Sequence, residues 1–133
     1  MKKIIIWTSK IFLGAMAVLL LFVWGEWFID TGGMLTQYEL TATSSTALNA
    51  LKTGMGGAIL TVAVFILLYF FKGREWLVPI AVSSAALLLS RMIGIVQDGS
   101  NTTIWVGAVF EILIILVALY LKKHSSETVK SKN

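Results

Sequence analysis

Four long apolar stretches decide what this chain can fold into: residues 4–28, 47–71, 76–97 and 104–121. Each holds roughly 18–25 residues, enough at ~1.5 Å per residue to cross a ~30 Å hydrocarbon layer. Lipid offers no partners to backbone N–H and C=O groups, so a spanning segment must satisfy them itself, which a helix does. The pattern predicts an all-α, integral membrane four-transmembrane-helix bundle forming one domain over residues 1–124. A polar tail, 125–133, follows and is too hydrophilic to order itself. Composition agrees, with 57% apolar and 14% charged residues.

Charge placement predicts the orientation. Four crossings put both termini on one side. Lys2, Lys3, Lys10, Lys72, Arg74, Lys122, Lys123, Lys130 and Lys132 then fall on that side, nine of the eleven Lys and Arg residues. The opposite loops carry Asp30, Glu39 and Asp98 and no base. By the positive-inside rule the N and C termini are cytoplasmic and the protein sits multi-pass in the cell membrane, with the lipid bilayer as its first partner. Trp7 and Trp76 mark the inner ends of helices, and Trp24, Trp27 and Trp105 the outer ends, as interfacial aromatics do. Met1-Lys2-Lys3 resembles the start of a signal peptide, but no small-x-small cleavage site follows the apolar stretch, so the first helix is read as uncleaved.

Several function classes drop out. There is no cysteine, hence no disulfide, thiolate nucleophile or Cys-based metal site, and the one histidine, His124, lies beyond the apolar runs. No metal ligand set, cofactor motif or nucleophile–base pair is visible, which favours a non-enzymatic protein. The net charge of +4 comes from bases flanking membrane segments, so nucleic acid is not a partner.

Three charges lie deep inside the apolar runs: Lys52, Arg91 and Glu111. Counting from the predicted outer ends places all three roughly 9–12 Å deep at ~1.5 Å per residue. A charge at such depth usually has a partner or a task. Helical spacing puts Asn49, Lys52 and Gly56 on one face of the second helix, and Ser84, Arg91, Gly94 and Asp98 on one face of the third. Gly107 and Glu111 stand one turn apart on the fourth, and Glu26 lies shallower on the first. Gly54, Gly56, Gly57, Gly94 and Gly107 are expected as notches that let helices approach closely.

Two uses of this level compete. As a structural network it fixes helix register and adds little net stability. As a pocket with two bases and one deep acid it suits a small anionic or amphipathic ligand held by Arg91. The expected function is accordingly a ligand binder or an accessory subunit for another membrane protein. The alternative is an oligomeric transporter or channel subunit using the same cluster. Small multidrug-resistance exporters have this length, but carry their glutamate in the middle of helix one, whereas Glu26 is at its end.

Lys52 with Gly56-Gly57, Arg91-x-x-Gly94-x-x-x-Asp98-Gly99 and the later Glu111 resemble the small bacterial four-helix membrane proteins grouped as domain-of-unknown-function family 4345. The likeness covers roughly residues 39–121. It implies a four-helix fold and shared polar positions, with no assigned activity.

Overall fold

The structure, a computed structural model, describes residues 2–98 and 102–125. The chain forms α1 (Lys2–Ile29), the short α2 (Thr31–Gln37), α3 (Ser45–Leu51), a π-helical turn (Lys52–Gly56), α4 (Gly57–Lys72), a 3-10 turn (Arg74–Trp76), α5 (Leu77–Asp98) and α6 (Thr102–Ser125). No strand occurs among the described residues. The segment from α3 to α4 is one continuous helical span, so four helices are long and apolar enough to cross a membrane: Lys2–Ile29, Ser45–Lys72, Arg74–Gln97 and Thr102–His124. Residues 99–101, and residues 126–133 of the tail expected over 125–133, lie outside the described residues, and α6 runs on through Ser125, beyond the expected stop at 121.

Local chemistry sets the boundaries. Ser44 caps α3, its hydroxyl accepting from the Ala47 N–H at 3.1 Å. Gly73 ends α4 at φ +118, a left-handed conformation that costs glycine little. Pro79 stands in the first turn of α5, where its missing N–H has no intrahelical partner to lose. The connection between the first two spans departs from expectation. The residues give only a weak helix or strand signal, around Tyr38-Glu39-Leu40, but the helix forms earlier, at Thr31–Gln37, because the Asp30 carboxylate accepts from the Gly33 N–H at 3.0 Å. Glu39, at φ 56, instead turns the chain back toward α3.

The bundle is a ring with one loose seam. α1 packs on α4, α4 on α5 and α5 on α6, while α1 and α6 touch sparingly. Packing is also uneven along the bundle axis. Leu13, Ile66, Leu77, Ile80 and Ala118 are fully buried at the end that carries the termini. Toward the other end, here the loop end, α5 buries nothing after Ser84, and α1 buries nothing between Ala17 and Trp27. One half is a solid core; the other is hollow. The outward surface is apolar, with Val18 70% and Val96 84% exposed.

Candidate functional site

The hollow half encloses a cavity of about 510 Å³. Its walls come from all four long spans, and α2 lies across its loop end with Met34, Gln37 and Tyr38 facing in. α1 and the second span supply an apolar side through Met16, Leu20, Met55 and Ile59. α5 and α6 supply the polar side through Ser84, Arg91, Gly107 and Glu111.

Arg91 and Glu111 meet because α5 and α6 form a close antiparallel pair. The guanidinium Nη2 donates to Glu111 Oε1 at 2.7 Å, and Nε donates to both carboxylate oxygens at 3.2 Å. Two nitrogens on one carboxylate is the planar, side-on geometry that arginine provides and lysine cannot. Glu111 is 8% exposed, so its charge depends on this partner. Gly107, one turn before Glu111, makes room for the pair: a Cβ there would stand 2.8–3.0 Å from the guanidinium atoms. Tyr38 closes the site from above. Burial pushes its phenol up from the ordinary value, Arg91 pulls it down, and Glu111 adds a smaller push upward.

Ser84, two turns deeper than Arg91 on the same face of α5, is the member left without a partner. A helical serine commonly gives its proton to the carbonyl four residues back, as Ser83 does to Pro79 at 2.8 Å and Ser90 to Ala86 at 3.0 Å. Ser84, 1% exposed and lining the cavity, keeps its hydroxyl without any hydrogen-bond partner. Buried hydroxyls are rarely left so. The Trp27 indole N–H is also buried without a partner, and its ring stacks on Tyr38 at 5.8 Å.

Not every expected residue joins the site. Lys52 does not share the cavity with Arg91 and Glu111; its ammonium lies 5.5 Å from the centre of the Phe28 ring. The depth argument placed it at the right level but could not fix its direction. Lys52 and Gly56 face the aromatic edge of α1, where Gly56 is buried against Trp24 and Trp27. Asn49 is exposed and lines nothing here. Asp98 is the last residue of α5, and its side chain lies outside the described part. Glu26 is half-buried and does line the cavity. Among the glycines, a Cβ at Gly54, Gly57 or Gly94 would meet no neighbour within 4 Å, so these three are not packing notches; Gly54 instead borders the cavity.

Sequence reasoning missed the cover formed by α2 and Tyr38, and the Thr103 hydroxyl that donates to the Gln37 carbonyl at 3.4 Å and links that cover to α6. Asp30 ahead of Thr31 was the available signal, an N-cap residue before a short run. Among the described residues no group of His, Cys, Asp or Glu could hold a metal ion. Comparison with family models, with curated proteins and with solved structures finds no match for this chain.

Proposed function

We propose that this chain is a multi-pass membrane protein that binds a small amphipathic ligand in the cavity of its hollow half, without catalysing a reaction on it. The observation that carries this reading is the Ser84 hydroxyl, buried and unpartnered in the wall of a roughly 510 Å³ cavity that already holds one satisfied ion pair. A network serving only to fix helix register has no use for such a space, whereas ligand pockets are apolar hollows with a few placed polar groups. The solid core beneath the cavity supports binding over conduction, since Leu13, Ile66 and Ile80 fill the bundle there with fully buried apolar side chains.

The loose seam gives the ligand a route. Leu19, Phe22 and Val106 line the cavity yet are 40%, 64% and 49% exposed, so the space opens sideways between α1 and α6. In a bilayer that opening faces lipid, and an amphipathic molecule can reach the site without crossing water. The charge bias supports cytoplasmic termini, with the hollow half in the outer leaflet.

Native mass spectrometry of the protein released from detergent tests the binding reading. A co-purifying small molecule is expected on the wild type and is expected to vanish in Gly54→Leu, which fills the cavity from a position with open space. A wild-type spectrum free of adducts, with identical ligand-induced stabilisation in both proteins across a lipid panel, overturns it. Orientation has its own test. Because the chain has no cysteine, single cysteines at Thr36 and Lys123 can be labelled without background. Impermeant maleimide on intact cells is expected to reach the first and spare the second.

A further inference from the structure

We infer that the cavity selects an organic cation, with Glu26 as the carboxylate that receives its charged head; the inference rests on the binding reading above. With Lys52 turned away onto Phe28, two carboxylates face the cavity, Glu26 and Glu111, against the single guanidinium of Arg91. Arg91 and Glu111 satisfy each other. That leaves Glu26, half-buried in the wall, with no side-chain hydrogen bond or ion pair to another described residue. The unbalanced charge of the cavity is thus negative, the reverse of what two bases and one acid had implied.

The rest of the wall suits the same ligand class. A cation in a low-dielectric space is stabilised by a carboxylate and by aromatic faces. Phe22, one helical turn before Glu26, lines the cavity together with Tyr38, and Phe110 lines it from α6. Met16, Met34 and Met55 add soft, unbranched side chains that adapt to apolar bodies of different shape. An anion would instead meet an unpaired carboxylate and a guanidinium already engaged, so the site disfavours it on both counts. The apolar opening between α1 and α6 requires that the cation be lipophilic enough to arrive through the bilayer.

Three near-isosteric probes that differ in charge decide the matter: tetraphenylphosphonium, tetraphenylborate and uncharged tetraphenylsilane. Binding to the full-length protein in zwitterionic phosphatidylcholine nanodiscs is measured by tryptophan fluorescence, with empty discs subtracted. Tetraphenylphosphonium is expected to bind at least about ten-fold more tightly than either of the others. Glu26→Gln is expected to erase that preference while leaving the silane unaffected, Glu26→Asp to restore part of it, and Lys52→Ala, outside the cavity, to change nothing. Equal affinity for phosphonium and silane, preference for the borate, or a preference that survives Glu26→Gln overturns the charge assignment and leaves the cavity as a binding site. Failure of all three probes to bind, in wild type and variants alike, removes the binding reading together with this one.

Discussion

At the scale of single residues, the protein turns on how Arg91 and Glu111 share a space that Gly107 keeps open. Removing one partner of a buried pair strands the other, a loss of about 3 kcal/mol. Glu111→Gln is therefore expected to lower thermal stability in detergent markedly, and an unchanged melting temperature would show that the pair bears no structural weight. Exchanging the charges, Arg91→Glu with Glu111→Arg, is expected to recover only part of the loss. The notch at Gly107 is shaped for a guanidinium arriving from α5, and an arginine on α6 itself would not occupy it. A double-mutant cycle on melting temperatures reads this directly: full additivity of the two single changes would refute the contact. Gly107→Ala supplies the complementary check, because its Cβ would press on the guanidinium and is expected to cost about 1–3 kcal/mol as overpacking.

At the scale of elements, the four spans were legible because apolar runs of membrane length admit few other structures. The Arg91–Glu111 pair was legible too, since two charges at one depth on consecutive helices of a hairpin have little choice but to meet. Lys52 was not, and the reason is physical. Depth follows from residue count, but direction depends on which neighbour each helix face meets. Here that neighbour is the Trp24, Trp27 and Phe28 edge of α1, which offers the ammonium an aromatic ring in place of a carboxylate. The π-turn at Lys52–Gly56 was equally hidden. The glycines in and after it looked like notches, yet Gly54 and, at the start of α4, Gly57 face open space, while Gly56 packs against Trp24 and Trp27. Gly57→Ala, at the start of α4, is accordingly expected to raise stability by about 0.5–1 kcal/mol through helix propensity alone. A drop in melting temperature on that change would mean the turn needs the freedom of glycine.

At the scale of the whole molecule, the bundle divides its work along its length. In lipid, helices hold together through close van der Waals packing and polar contacts, because the tails around them are as apolar as leucine. The terminal half supplies that packing with side chains that are fully buried, and its integrity lets the loop half stay open. The same truncation should then have different consequences at the two ends. Ile80→Ala, in the solid core, removes contacts that nothing replaces and is expected to cost about 2–5 kcal/mol. Ile59→Ala, in the cavity wall, only enlarges a space already present and is expected to cost about 1 kcal/mol or less. Its effect should appear in binding, as weaker retention of whatever the cavity holds. Reversible unfolding in mixed micelles, with and without a bound probe, separates the two. Equal losses at both positions would mean that the loop half is packed as tightly as the core, and the cavity would lose its standing as a site.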